Sequence, residues 1–268
     1  MVDSLMRWLV MALAIATCTS CGREPAQPRQ DDEMPPEAMS TLPHPEPPRA
    51  AAASERVRPP LEAALHRESL HFGDPVFLRA YKKERVLQVF VQCRESGKFR
   101  HFRDYRIAAA SGTLGPKLQE GDRQVPEGFY FVPPAAMNPL SQFHLSFNIG
   151  FPNAFDRHHA RTGSLIMIHG GRASIGCLAM TDPGIEEIYI LCDAAHRSGQ
   201  TFFRVHLFPF RMTDENLAAH RSHKWHDFWR NLREGHDWFE KHGLPPDVTV
   251  SADGKYQFQP ADEASPSE

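Results

Sequence analysis

Three things are scarce in this 268-residue sequence, and two of these scarcities exclude a class of protein. Excess charge is scarce: 30 Lys and Arg against 33 Asp and Glu leave a net charge of -3, without the basic stripe that a nucleic acid partner requires. Long apolar runs are scarce, because the run from Trp8 to Ala16 is too short to span a bilayer as a mature helix. Cysteine is scarce as well. The five cysteines are Cys18, Cys21, Cys93, Cys177 and Cys192.

The N-terminal segment is predicted to serve export rather than folding. One positive charge at Arg7 precedes the apolar run, as in a secretory signal. The segment resembles a bacterial lipoprotein signal, in which cleavage occurs just before a cysteine that then carries lipid. Either Cys21 or Cys18 fits that position, and simple secretion or an uncleaved anchor are the alternatives. Residues 1–21 are therefore assigned to export, with a location in the periplasm or cell envelope and membrane attachment only through an N-terminal lipid.

Residues 22–60 are predicted to form a linker. Ten of the 23 prolines lie between Pro25 and Pro60, among Ala, Glu, Arg and Gln. Such a composition buries too little apolar surface to fold, and we expect an extended, disordered chain.

The folded part is predicted to begin at Leu61 and to be rich in strands. Short apolar runs such as "PVFLRAY", "RVLQVFVQ", "GFYF" and "SLIMI" are separated by Gly- and Pro-rich turns. This pattern is typical of a β-sandwich or barrel-like sheet. A helix should follow from Asp182 as N-cap, through Pro183, to Gly199. The class expected for residues 61–212 is therefore β-rich α+β with a few helices.

Residues 213–268 are predicted to form an extension packed on that domain. A long helix should run from Thr213 to about His242, followed by a hairpin with Asp253-Gly254 at its turn. Trp225 and Trp229 lie one turn apart on this helix. They are interpreted as the seam that docks it on the sheet, with a glycan-binding platform as the alternative.

The chemistry is concentrated in "MIHGGRASIGCLAMTD", residues 167–182. His169 ends a predicted strand, and a Gly-rich loop leads to Cys177 near a helix start. Cys177 could be a packed structural thiol, a metal ligand, or a nucleophile with His169 as its base. No further ligand follows at metal-binding spacing, which disfavours the metal. If Cys177 is a nucleophile, the backbone N–H groups of Gly176 and Cys177 would donate hydrogen bonds to the oxyanion that forms during the reaction.

The other two cysteines of the folded part allow two interpretations. Cys93 and Cys192 could pair in an oxidising compartment, or they could be two buried free thiols.

The motif resembles the signature of YkuD-type L,D-transpeptidase catalytic domains, and within that family the YafK-like branch. "IHG" corresponds to residues 168–170, "SIGCLA" to residues 174–179, and the upstream "VPEGFY" to residues 125–130. The motifs occur in the family's order between about Phe72 and Phe210. The resemblance implies that Cys177 is the nucleophile and His169 the general base. It also implies a peptidoglycan tetrapeptide stem as substrate, a Cys thioester intermediate and no cofactor.

The resemblance leaves the outcome of the reaction open. The thioester could meet an amine, giving a crosslink, or water, giving a hydrolase that releases a peptidoglycan-attached lipoprotein. A binding module without turnover is the alternative of another class. The usual histidine of the motif is replaced by Ile175, which we expect to pack beside the sulfur and make the pocket drier.

Five further residues are candidates for substrate binding. Ser174 and Gly170 lie inside the motif, and Asp156, Arg157 and Arg161 lie just before its strand. The charged three could bind carboxylates or the amine of the stem peptide, or they could be a solvated loop.

Overall fold

The computed structural model describes residues 47–261, which form two five-stranded sheets, a hairpin, five α-helices and a short 3-10 helix (Pro134–Ala136). This confirms the predicted β-rich α+β class. The helices are α1 (Pro48–Arg67), α2 (Ala154–His158), α3 (Asp182–Arg197), α4 (Asp214–Ala219) and α5 (His226–His242). The strands are β1 (Val76–Tyr81), β2 (Val86–Gln92), β3 (Phe99–Arg106), β4 (Ala109–Ala110), β5 (Gly128–Val132), β6 (Met137–Asn138), β7 (Ser146–Asn148), β8 (Met167–His169), β9 (Leu178–Ala179), β10 (Phe203–Phe208), β11 (Asp247–Val250) and β12 (Tyr256–Gln259). The predicted export segment lies outside the described residues, and so does most of the predicted linker.

The larger sheet forms the framework of the domain. Its order is β3-β2-β1-β10-β5, with β10 parallel to β1 and the other pairs antiparallel. The parallel strands β1 and β10 are buried almost throughout, as expected for strands that are covered on both faces of the sheet.

The smaller sheet carries the motif. Its order is β4-β9-β8-β7-β6, and β8 and β9 are its parallel pair, with Ile168 opposite Leu178 and His169 opposite Ala179. In this parallel pair the end of β8 lies beside the end of β9, and Cys177, directly before β9, is level with the start of β8, although eight residues separate it from His169. This pairing is what brings the two ends of the motif together.

The start of the fold differs from the prediction. Residues 48–60, assigned to the linker, form most of helix α1, which begins at Pro48 and contains Pro59 and Pro60. The run "RAAAASE" has the highest helix propensity available, since alanine is the best helix former. Burial of Ala50, Ala53 and Leu61 in the main core, which α1 shares with α3, offsets the two prolines.

The predicted long C-terminal helix is interrupted. Helix α4 ends at Ala219, and α5 begins only at His226. The side chain of His220 bonds the Asn216 carbonyl at 2.7 Å and stacks on Phe210, with ring centroids 4.6 Å apart. Both contacts compete with continuation of the helix.

The extension packs on the larger sheet through a second, aromatic core. Trp229 is fully buried there and donates its indole N–H to Oε2 of Glu127 at 2.8 Å, as expected for a docking seam. The ammonium of Lys82 bonds Oε1 of Glu127 at 3.0 Å and the carbonyls of Gly115 and Val125 at 2.8 and 2.9 Å. The carboxylate of the "VPEGFY" motif is therefore a buried structural group.

Two further findings concern the described residues. Cys93, Cys177 and Cys192 are free thiols, and Cys93 and Cys192 are buried. No helix between residues 47 and 261 combines the length and apolarity that crossing a bilayer demands.

Candidate active site

The site lies where β8 ends and β9 begins. His169 is the last residue of β8, and Cys177 immediately precedes β9. The backbone N–H of Met167 donates to Sγ of Cys177 at 3.3 Å, so the thiol lies against the start of β8, two residues before the imidazole on the same strand. Thiol and imidazole are thereby mounted on adjacent paired strands.

The surroundings of Cys177 keep its thiol protonated. Burial raises the pKa of the Cys177 thiol, and the Met167 N–H and the positive charge of Lys117 offset part of that rise. The Lys117 side chain is itself buried, at 4% exposure, and bonds Asp122 at 2.6 Å. A cation that favours the thiolate thus lies in a loop that the sequence interpretation had left without a role.

The tautomer of His169 follows from its hydrogen bond. Nδ1 lies 2.6 Å from the Gly170 carbonyl oxygen, which can only accept, so Nδ1 carries the proton. Nε2 is then left with the basic lone pair. Burial lowers the pKa of His169, against a smaller opposing effect of the Gly170 carbonyl. The imidazole is therefore neutral and suited to act as a base.

Two glycines shape the turn after His169. The Gly170 N–H donates to the carbonyls of Phe143 and Leu145 at 2.9 and 3.1 Å, and the Gly171 N–H donates to Oδ1 of Asp182 at 2.8 Å. A Cβ on Gly170 would lie 2.6 Å from both Asp182 Oδ1 and the Phe143 carbonyl oxygen. Only glycine fits there, which makes Gly170 a structural requirement of the site.

Two serine hydroxyls accept hydrogen bonds from the backbone N–H groups that were expected to bind the oxyanion. The Cys177 N–H donates to Oγ of Ser174 at 3.0 Å, and the Ser174 hydroxyl donates to the Cys177 carbonyl at 2.6 Å. The Gly176 N–H donates to Oγ of Ser111 at 2.6 Å. Ser174 therefore stabilises the loop, and Gly176 serves an oxyanion only if the Ser111 hydroxyl moves away.

Two of the candidate substrate-binding residues belong to the core instead. Asp156 is fully buried, and its Oδ1 pairs with Arg161 at 2.8 Å, while its Oδ2 accepts the hydroxyl of Tyr130 at 2.9 Å. Arg161 is also buried and lies over the rings of Phe155 and Phe228. A buried ion pair cannot reach a stem peptide, so this part of the prediction was wrong.

Arg157 lies on the surface, away from the motif. It bonds the Pro152 carbonyl at 2.7 Å and borders a small cleft beside the C-terminal hairpin, with Val248 and Val250. This cleft belongs to the contact between α2 and β11.

Three apolar side chains in the loops around the site face solvent. Ile175 is 75% exposed, and Leu165, whose carbonyl lies 3.7 Å from Sγ of Cys177, is 68% exposed. Phe143 is 55% exposed, with its ring centroid 4.8 Å from that of His169. Ile175 was expected to pack beside the sulfur, but its side chain faces solvent instead, directly before the buried Gly176, whose φ is +89°.

Four residues that shape the site were not predicted from the sequence. Ser111 and Lys117 lie in a turn-rich segment, Phe143 in a loop, and Asp182 at a helix start where capping was expected. Their roles depend on contacts between segments distant in the chain, which local patterns do not encode.

Within residues 47–261, no group of three His, Cys, Asp or Glu side chains is arranged to hold a metal ion.

Comparisons with known proteins identify the family to which the chain is similar. Residues 76–206 match the YkuD family of L,D-transpeptidase catalytic domains. Over 184 residues the chain is 43% identical to YafK, a candidate L,D-transpeptidase of Escherichia coli (strain K12), across 69% of this chain and 74% of that protein. The same values hold for YafK of Escherichia coli O157:H7.

Solved structures show a more distant similarity. The helical cell shape determining protein Pgp2 from Campylobacter jejuni is 18% identical, with a TM-score of 0.42 over 66% of this chain and 73% of that one. A mutant of the same protein is 20% identical, with a TM-score of 0.42 over 63% of this chain and 57% of that one.

Proposed function

Because the chain belongs to the YkuD family of L,D-transpeptidase catalytic domains, we propose that it is an exported cysteine acyltransferase acting on peptidoglycan tetrapeptide stems. Cys177 is the nucleophile of this proposal, and His169 is its general base. The observation that carries it is the pairing of β8 with β9. Because of this pairing, the half-buried thiol directly before β9 and the imidazole at the end of β8, whose Nδ1 is bonded to a backbone carbonyl, lie on adjacent strands.

Acylation follows from the protonation states of the two groups. His169 Nε2 takes the thiol proton as Sγ attacks the carbonyl between the third residue of the stem and its terminal D-alanine. The C–N bond then breaks, and the imidazolium returns the proton to the amine of the departing D-alanine. The product is a thioester on Cys177.

Deacylation reverses these roles with a second nucleophile. An amine from another stem loses a proton to His169, attacks the thioester and forms an amide, while Sγ leaves as the restored thiol. Water in place of the amine gives hydrolysis, the outcome by which a peptidoglycan-attached lipoprotein would be released. Both outcomes use the same thioester, so the acceptor that reaches the site decides between them.

Transport out of the cytoplasm is part of the proposal, since the substrate lies in the cell envelope. The motivating feature is the short apolar run followed by Cys18 and Cys21. Labelled fatty acid should enter the protein in a bacterial host and be lost when both cysteines are replaced by serine. Persistent labelling of the double variant would exclude a lipid anchor on these residues.

The reaction is tested with purified protein and defined tetrapeptide muropeptides, with the products analysed by mass spectrometry. Wild-type protein should release D-alanine and show a thioester-linked mass, whereas Cys177→Ala should show neither. His169→Ala should acylate roughly 10²–10⁴-fold more slowly, the usual effect of a positioned base.

Cys93→Ala is the matched control, because it removes a free thiol outside the site. It should acylate as the wild type does. Binding of muropeptide without any product would support a binding module and contradict the proposal.

A further inference from the structure

We propose that Asp182 is a positioning residue of the site, whose carboxylate holds the Gly170–Gly171 peptide so that the Gly170 carbonyl faces His169. The inference rests on the proposed function, because it matters only if His169 acts as the base. It assigns a role to a residue that the sequence pattern places at a helix start.

One planar peptide links Asp182 to the imidazole. The Gly170 carbonyl oxygen and the Gly171 N–H belong to the same peptide unit and point in opposite directions, because the peptide is trans and planar. The carbonyl accepts from Nδ1 of His169 at 2.6 Å, and the N–H donates to Oδ1 of Asp182 at 2.8 Å. Fixing one end of this unit therefore fixes the other.

This peptide is the one part of the turn that depends on a side chain. The preceding peptide is held through the Gly170 N–H by two backbone carbonyls. The following peptide is held through the Gly171 carbonyl, which accepts the N–H of Thr181 at 2.9 Å. The peptide between them has glycine on both sides, with Gly171 at φ +75°, and glycine resists reorientation least of all residues. The Asp182 carboxylate, which accepts the N–H of this peptide, restrains its orientation.

Asp182 is available for this role because another residue caps the helix. Thr181 is the N-cap of α3, and its Oγ1 accepts the N–H of Gly184 at 3.4 Å. Asp182, which was predicted to be the N-cap, is instead the first residue of the helix. Its carboxylate accepts a hydrogen bond from the Gly171 N–H, which lies outside the helix.

The carboxylate should also strengthen the bond to His169. A charged acceptor on the peptide N–H polarises the peptide and makes its carbonyl oxygen a better acceptor, because hydrogen bonds in a chain reinforce one another. The Gly170 carbonyl then both holds the Nδ1 proton and stabilises the imidazolium that forms during proton transfer. Loss of Asp182 should thus slow the chemical step and leave substrate binding unchanged.

The experiment compares kcat and KM for D-alanine release by the full-length wild type and by three variants. Asp182→Ala should lower kcat by about 10- to 100-fold with KM unchanged, since misplacing a reacting group by a fraction of an ångström has effects of this size. Asp182→Asn keeps an acceptor oxygen at the same position and should restore most of kcat. Thr181→Ala removes the helix cap, so it should lower the melting temperature while kcat stays near that of the wild type.

Three results would overturn the inference: wild-type kcat in Asp182→Ala, no recovery in Asp182→Asn, or an equal loss of kcat in Thr181→Ala. The last would mean that Asp182 matters only for the start of α3. Failure of the proposed function gives a different signature. In that case the wild type itself releases no D-alanine and matches Cys177→Ala.

Discussion

The hydroxyl of Ser111 lies between two loops of the site, accepting the N–H of Gly176 at 2.6 Å and donating to the carbonyl of Arg123 at 2.7 Å. Gly176 is buried, with φ +89°, directly before the nucleophile. One hydroxyl thus joins the loop of residues 170–177 to the segment that follows β4. Ser111 lies 65 residues before Gly176, which explains why no local pattern pointed to it.

Ser111→Ala should slow thioester formation by about tenfold. The Gly176 peptide would lose its anchor, and the Cys177 backbone would have to be ordered during the reaction. Ser111→Thr keeps a hydroxyl and should retain most of the rate. The check is the rate of covalent labelling of Cys177 by a carbapenem, followed by mass spectrometry. Faster labelling of Ser111→Ala would show instead that the hydroxyl obstructs an oxyanion site.

The pH dependence should show that thiol and imidazole are both neutral before substrate binds. Burial raises the pKa of Cys177 and lowers that of His169, so both shifts favour the uncharged forms. Alkylation by iodoacetamide in a Cys93→Ala background should therefore have its midpoint above the ordinary cysteine value of about 8.5. Acylation by substrate should decline only as the pH falls below about 6.5, where the imidazole becomes protonated. A thiol midpoint below 7 would instead indicate a thiolate–imidazolium pair.

His206 should make the fold sensitive to acid. Its ring is fully buried between Phe77 and Phe129, with centroids 4.6 and 4.7 Å away, and neither ring nitrogen has a hydrogen-bond partner among the described residues. Burial lowers its pKa, and the charges of Arg204, Arg79 and His236 add to that effect.

Because the folded pKa of His206 lies below the unfolded value of about 6.5, its contribution to stability is complete above that pH. It is lost as the pH falls toward the folded pKa, by at most about 1.4 kcal/mol per pH unit. In His206→Phe this part of the slope should disappear from the free energy of unfolding measured by urea titration between pH 7 and 5. An unchanged slope would contradict the prediction.

Helix α1 should support catalysis through Arg49. Its Nη1 donates to the carbonyls of Ser141 and His144, each at 2.6 Å, in the loop that carries Phe143 against His169. His144 has φ +71°, a conformation that a residue with a side chain adopts only when its surroundings enforce it. Arg49→Ala should lower kcat about 3- to 10-fold, because this loop loses two hydrogen bonds from a charged donor.

The control for Arg49 is Arg58→Ala on the same helix. Arg58 forms an exposed pair with Glu62 four residues away, a type of contact that contributes little. It should leave kcat unchanged. Equal losses in the two variants would assign the effect to α1 as a whole.

The strands and the motif could be predicted from the sequence, because they depend on local patterns of residues. The features that depend on contacts between distant segments could not. Alternating apolar runs located the strands, and the motif located His169 and Cys177 because strand ends and loops are marked by Gly in the chain itself. Asp156 and Arg161 looked like polar loop residues, yet a tyrosine 26 positions upstream and two aromatic rings enclose them. Helix α1 was not predicted, because its prolines disfavour a helix while its alanines favour one. Packing against α3 decides between the two, and that contact is not visible in the local sequence.

The contact between Glu127 and Trp229 has a consequence for the order in which the molecule assembles. The two residues are 102 positions apart, and the Glu127 carboxylate is fully buried. Before α5 has been synthesised the sheet can form, but Oε2 of Glu127 has no indole N–H from which to accept a hydrogen bond. A buried acceptor left without its donor is costly, so the sheet reaches its final packing only after the chain beyond residue 229 has arrived. Premature termination before α5 would thus leave the catalytic domain complete in sequence but its sheet incompletely packed.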